Sequence, residues 1–226
     1  MRKFWGFYDN GIYRVGCNGS SIYVYNQNNK EISRFKDIKY AYVGVFQPGT
    51  NIFVAKSTEG SLAVYDLEKG ELLSKIVITR DGAQDEGIAF SPDGKYLYNI
   101  EKPFQSTRTQ LTIYETVNYT VLKTLFAGEL QMHLEFLEFS KDSENGYMLG
   151  FMRNERGVFE YGFIGKLSGE NISDIKRLNS EEEYDYIHAY KAWEQSGYTE
   201  KSLEWTSIKR YSEKPHVLLE QVYNQL

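Results

Sequence analysis

The side chains able to do chemistry are few, and their spacing does not assemble them into a constellation. Of the three histidines, His133, His188 and His216, none stands in a metal-ligand spacing with a second His or Cys. Each reads as a surface or strand-end histidine. The one cysteine, Cys17, has no partner for an internal disulfide. Only Arg14 lies near it as a basic neighbour, so it reads as a small buried hydrophobe on a strand. Carboxylates cluster at Asp81/Asp85/Glu86, at Glu135/Glu138 and from Glu181 to Asp185. Paired carboxylates can share acid–base work at a glycosidic bond. The plainer reading is helix capping for Glu181 to Glu183 and a solvated loop for Asp81, Asp85 and Glu86. No glycine-rich phosphate loop and no nucleophile elbow occurs. The sequence therefore predicts no catalytic residue, no metal ligand and no cofactor.

The elements that would position these side chains come next. The chain has 226 residues, enough for one large domain or a domain with a small appendage. Its 19 Tyr and 13 Phe suit half-buried β surface, where a ring packs while a hydroxyl stays wet. The net charge of −5 is modest and mixed along the chain, with no basic run longer than Lys209-Arg210. That argues against a nucleic-acid partner, which would call for a concentrated basic face. No stretch has the length of a membrane span or the form of a signal peptide. The expectation is a cytoplasmic protein without nucleic acid or membrane as partner.

Two landmarks recur. An aromatic ends a strand before a turn at Phe7, Phe46, Phe90 and Phe139, at intervals of 39, 44 and 49 residues. An alternating strand ends in tyrosine at Tyr25, Tyr65, Tyr114 and Tyr161, at intervals of 40, 49 and 47. A shared period of that size is the period of four-stranded propeller blades. The cleanest copy has strands at 40–46, 51–55, 61–66 and 71–78. The third has them near 86–90, 95–100, 110–115 and 120–126, and the fourth near 134–139, 146–152, 157–164 and 172–178. Blade boundaries fall at about 3–38, 39–79, 84–127 and 132–178.

The pattern changes at Ser180. Ser180 followed by Glu183 is a capping box, and three acidic residues suit a first helical turn. Tyr186, Ile187, Tyr190 and Trp193 follow at helical spacing. Thr199 opens a candidate second helix with Leu203, Trp205, Ile208 and Tyr211. Pro215 opens a third, whose apolar stripe is Leu218, Leu219, Val222, Tyr223 and Leu226. A competing reading makes Ser202 to Trp205 part of a decayed fifth blade.

The run Phe90-Ser91-Pro92-Asp93-Gly94-Lys95-Tyr96-Leu97-Tyr98 resembles the signature turn of WD-repeat and YVTN-type β-propeller proteins. Ser61 to Asp66 resembles their blade strand ending in Trp-Asp, with Tyr65 in place of Trp. The resemblance covers roughly residues 3–178 and implies a fold rather than an activity. The expected fold is mainly β: a small or partial β-propeller of four four-stranded antiparallel blades, or five with the tail, plus a C-terminal helical segment. The repeat domain spans 1–179 and the helical segment 180–226. Propellers of this family commonly have six to eight blades. The chain is therefore a small or open ring whose exposed edge the helices protect, or half of a larger ring completed by a homodimer.

On such a scaffold the loops are the functional candidates. The longest runs from Glu101 to Thr109 and carries Phe104 and Arg108. Its counterpart in the fourth copy is Arg153 to Arg156. The inter-blade loop Arg80 to Glu86 shares their face in a propeller, adding Arg80, Asp85 and Glu86. The expected function is a non-enzymatic protein–protein interaction module, a scaffold or a partner-neutralising protein, that binds a protein through these loops. The alternative is a carbohydrate-binding or glycoside-hydrolase-like propeller using loop carboxylates and aromatics, for which a ring this short leaves little room.

Overall fold

The structure is a computed structural model, and it describes residues 3–79, 87–106, 108–140, 145–168, 171–197 and 217–226. The candidate second helix from Thr199 to Tyr211, the alternative fifth blade, Pro215, His216 and the loop Arg80 to Glu86 lie outside those residues. Sixteen strands form four separate four-stranded sheets among the described residues, each antiparallel and each in chain order. The first holds β1 (Gly6–Asp9), β2 (Tyr13–Cys17), β3 (Ile22–Asn26) and β4 (Glu31–Phe35). The second holds β5 (Ala41–Phe46), β6 (Ile52–Ser57), β7 (Ser61–Asp66) and β8 (Glu71–Val77). The third holds β9 (Ile88–Phe90), β10 (Tyr96–Glu101), β11 (Gln110–Glu115) and β12 (Val121–Leu125). The fourth holds β13 (Met132–Phe139), β14 (Gly146–Arg153), β15 (Phe159–Ser168) and β16 (Asn171–Arg177). Two helices follow among the described residues, α1 (Glu181–Gln195) and α2 (Leu219–Gln225). These are the expected up-and-down blades of a partial β-propeller, with strand ends mostly within a residue or two of those read from the sequence.

The turn between β9 and β10 shows why the signature residues are what they are. Gly94 has φ +71°, a backbone state that glycine adopts without a side-chain clash. The Asp93 carboxylate accepts from the Ser91 hydroxyl at 2.7 Å and from the Lys95 backbone N–H at 3.0 Å. The Tyr96 N–H donates to Ser91 Oγ at 3.0 Å, closing the strand ends together. The hydrogen bonds from Lys95 and Ser91 hold the Asp93 carboxyl down at about 2.

The chain divides into two compact units. One comprises 1–85 and 192–210, the other 86–191 and 211–226. In the first unit, Val15, Cys17, Ile22, Val24 and Phe35 from the first blade and Phe53, Ala55, Ala63 and Tyr65 from the second share one core. The rings of Phe35 and Tyr65 meet at 4.3 Å between centroids. Cys17 is buried in that core, and burial pushes its thiol up to about 12, which leaves it an inert hydrophobe as the sequence suggests. The turn after α1 belongs to this unit: the Phe7 N–H donates to the Ser196 carbonyl, and the Tyr8 hydroxyl donates to the Gln195 carbonyl.

In the second unit, Tyr98, Ile100, Leu111, Ile113 and Leu125 of the third blade pack on Leu134, Leu137, Met148, Phe163 and Leu167 of the fourth. The helices lie on the far face of the fourth blade. Tyr223 of α2 stacks on Tyr147 at 5.4 Å, and Tyr184 of α1 sits over Gly162, where a Cβ would come within 2.5 Å of the ring. Helices expected to protect a sheet edge instead occupy a sheet face here. Ser180 Oγ accepts from the Glu183 N–H, and the Glu183 carboxylate accepts from the Asn179 N–H, which is the expected capping box one residue extended.

Leu111 is fully buried between blades, whereas Val117 is 85% exposed on a turn. Leu111→Ala is expected to cost about 2–5 kcal/mol and Val117→Ala under about 0.5 kcal/mol. Urea unfolding measures both, and equal costs would contradict the assigned core.

Candidate functional site

The richest set of ionisable groups among the described residues stands where α1 meets the fourth blade. Its placement begins with a bulge in β13. Leu134 pairs with Gly150 and Phe136 with Leu149, so Glu135 is an extra residue in the strand. The bulge keeps Leu134 and Leu137 on the core face despite their odd spacing. It puts His133, Phe136 and Glu138 on the opposite face, towards α1. Tyr184, His188 and Lys191 recur at helical spacing on α1 and meet that face.

Glu135 is the centre. Its Oε1 lies 3.2 Å from His133 Nε2, and its Oε2 lies 3.4 Å from His188 Nε2. Arg153 Nη2 lies 3.2 Å from His133 Nδ1. A guanidinium has only donors, so Nδ1 accepts and the His133 proton sits on Nε2, pointing at Glu135. Glu135 thus fixes the His133 tautomer, and His133 in turn seats Arg153. Burial by itself raises the Glu135 carboxyl, but the hydrogen bonds from His133 and His188 outweigh it and hold the carboxyl at about 2 rather than 4.5. Aromatic rings wall the cluster: Phe151 on His133 at 4.7 Å, Phe136 on His188 at 5.3 Å and Tyr184 on His188 at 5.8 Å. One turn on, Lys191 pairs with Glu138, whose other oxygen accepts from the Leu219 N–H at the start of α2.

The two imidazoles occupy opposite oxygens of one carboxylate and do not converge on a common point. Among the described residues no group of three or more His, Cys, Asp or Glu side chains could hold a metal ion. The cluster binds helix to sheet. Sequence spacing could not find it, because the bulge hides the shared face and His188 lies on a separate element. Of the stripe expected on α1, Ile187 and Tyr190 are buried and Tyr186 and Trp193 half-buried, and the covered face is wider than the stripe, taking in Tyr184, Ala189 and Lys191 as well. The signal was present as polar residues at sheet-facing helical spacing.

The loop candidates Phe104, Arg108, Arg153 and Arg156 come to one end of the second unit. The Leu134 N–H donates to Thr109 Oγ1 at 2.7 Å, which ties the loop between β10 and β11 to the start of β13. The Arg153 N–H donates to the Gln131 carbonyl at 2.7 Å, which ties the end of β14 to the connection preceding β13. Phe104 caps a tight turn closed by the Ser106 N–H on the Pro103 carbonyl, with Gln105 at φ +56°. Ser106 Oγ accepts from the Arg108 N–H, and Asn154 Oδ1 accepts from the N–H groups of Arg156 and Val158. The loops are therefore held by their own hydrogen bonds. Phe104 is 57% exposed, Leu130 69% and Val158 58%. Arg153 terminates β14 and is seated on His133, with its guanidinium 5.0 Å from the Phe151 ring centre. Arg80, Asp85 and Glu86 lie outside the described residues.

The third blade holds a second buried carboxylate, Glu101, on the face opposite the Ile100 core. It accepts from Asn99 Nδ2, Gln110 Nε2, Thr112 Oγ1 and the Tyr114 hydroxyl at 2.5–3.1 Å. Four neutral donors satisfy both oxygens, as burial of a polar group requires.

The chain matches no protein-family model and no curated protein. Among solved structures it is similar to the hydrazine synthase of Kuenenia stuttgartiensis, with a TM-score of 0.61 and 17% identity over 75% of this chain and 51% of that one. It is also similar to the WD40 domain of Toxoplasma gondii coronin, with a TM-score of 0.56 and 12% identity over 76% of this chain and 45% of that one. The chain spans about half the length of these solved chains. With the four blades, these likenesses show a β-propeller fold. No helix among the described residues is long and apolar enough to cross a membrane.

The Glu135 carboxyl titrates lower folded than unfolded. Its contribution is therefore present above about pH 4.5 and is lost as pH falls towards about 2. Glu135→Gln is expected to be less stable at neutral pH, by about 1.5–3 kcal/mol, and to lose less on acidification. Urea midpoints at about pH 7 and about pH 3 compare the two proteins. Parallel acid losses would show that Glu135 does not carry the effect.

Proposed function

We propose that this chain is a non-enzymatic protein-interaction module that uses a propeller scaffold to present the strand-connecting loops of its third and fourth blades to a protein partner. One observation carries the reading. Phe104 stands exposed at the apex of a turn closed by a backbone hydrogen bond, at the same end as exposed Leu130 and Val158. An aromatic held in place loses little freedom on binding, and such residues anchor interfaces. Of the carboxylates that a hydrolase reading would enlist, Glu135 and Glu138 are engaged in holding α1 and α2. The likeness to the coronin WD40 domain supports a scaffold, and the likeness to hydrazine synthase extends to the fold alone.

Affinity capture of the full chain from its native cells tests this, using Phe104→Ala beside a control substitution at Val117 on the turn between β11 and β12. A partner captured by the native chain should be lost or weakened about tenfold by Phe104→Ala, as for an interface anchor, and retained by Val117→Ala. A partner held equally by both variants would refute the loop reading. Turnover of a glycoside substrate by the purified chain would replace it with the hydrolase reading.

A further inference from the structure

The helix α2 has seven residues and no cap of its own, since Leu218 stands before it in an extended conformation with no side-chain hydrogen bond to it. A helix of about two turns does not hold together by itself in water. The fourth blade holds it at both ends and in the middle. At the first turn, the Leu219 N–H donates to the Glu138 carboxylate, which Lys191 of α1 fixes from its other oxygen. At the last turn, Lys176 Nζ donates to the Tyr223 carbonyl at 3.0 Å and lies 4.3 Å from the centre of the Tyr223 ring. Between these ends the Tyr223 ring meets Tyr147 at 5.4 Å, and its hydroxyl donates to Asp174 Oδ2 at 2.8 Å. The Tyr147 hydroxyl donates to Glu220 at 3.3 Å.

A carboxylate thus stands at the positive end of the helix and an ammonium at its negative end, as the helix dipole favours. Each also satisfies a backbone group that a terminal turn leaves open. A helix laid the other way would bring its carbonyls to Glu138 and its N–H groups to Lys176, so the direction of the occupant is set. Of the ten residues 217–226, only Val217, Leu219 and Tyr223 are buried. Opening that segment therefore uncovers far less apolar surface than opening the sheet beneath it.

We propose that this face of the fourth blade is a receptor for a short helix with leucine and tyrosine four residues apart, that α2 is its attached occupant, and that a helix of the same pattern from a partner protein takes the seat when α2 leaves. The inference does not depend on the loop reading and adds a second, separate binding surface. Leucine fills the position of Leu219, which is fully buried, and tyrosine supplies the ring for Tyr147 and the hydroxyl for Asp174. An extended segment would not place a carbonyl at Lys176 and an N–H at Glu138 at this spacing.

Two measurements on the full chain test this. In native-state hydrogen exchange, the amides of Val222 and Leu226, bonded within α2, should open at least about a hundredfold more often than those of β14 beneath. Equal protection would mean that α2 leaves only when the blade unfolds, and would overturn the proposal. The second measurement uses the full chain carrying Leu219→Asp and Tyr223→Ala, which empties the seat. A labelled synthetic peptide copying residues 217–226 should bind this variant, and should bind the native chain at least about tenfold more weakly, since the attached copy competes. Adding Lys176→Met should weaken the peptide about tenfold, and so should alanine at the peptide's tyrosine. Ten-residue peptides selected by display on the same variant should carry leucine and an aromatic four residues apart. A cooperatively melting variant that binds no peptide, or that selects peptides without this spacing, would overturn the proposal. If the variant does not melt cooperatively, the exchange result on the native chain decides.

Discussion

A twisted sheet of four short strands has two faces and too little thickness to bury either one by itself. Everything in this molecule answers to that constraint. In the first unit the first and second blades cover one another through Cys17, Val24, Phe53 and Tyr65. In the second unit the third and fourth blades do so through Ile100, Leu111, Leu134 and Phe163. The fourth blade then has one face left, and α1 and α2 take it. That is why Gly162 lies under Tyr184, since any larger residue would hold the helix off the sheet.

Covering a sheet face with a helix brings polar groups under cover with it. Glu135, Glu138 and Lys191 are each paired or hydrogen-bonded, as buried charge must be. The pairing has a further effect. The chain of contacts from His188 through Glu135 and His133 reaches Arg153, at the rim where the loops begin. A side chain at the loop end is thus oriented by groups whose main work is to seat a helix. The loop end and the helix seat are parts of one polar network within the second unit.

Much of the architecture was legible in the sequence because it repeats. The Tyr65, Tyr114 and Tyr161 strands lie where the period puts them, and the Phe90 to Tyr98 run makes its turn through Asp93 and Gly94. The Ser180 capping box opens α1 as read. Less was legible of what depends on contact between distant elements. His133 and His188 look solitary in sequence, and nothing local says that one carboxylate lies between them. Arg153 reads as a loop residue, yet it closes β14, because pairing with Phe159 extends the strand by that much. The apolar stripe of α1 locates Ile187 and Tyr190 in the covered face but not Lys191, because the helix meets a partly polar surface and buries a charged side chain against Glu138 in doing so.

The extra residue in β13 has a consequence for how this strand can change over time. Upstream of it, His133 and Leu134 follow one parity; downstream, Leu137 and Glu138 follow the other. Loss of one amino acid at that point would restore a regular ladder and send either the histidine or the lysine partner into the hydrocarbon interior. A length change there is therefore a change of sidedness for half the strand. Tolerated insertions and deletions should gather in the connections instead, above all between Phe126 and Gln131, where the same alteration moves no side chain through the sheet.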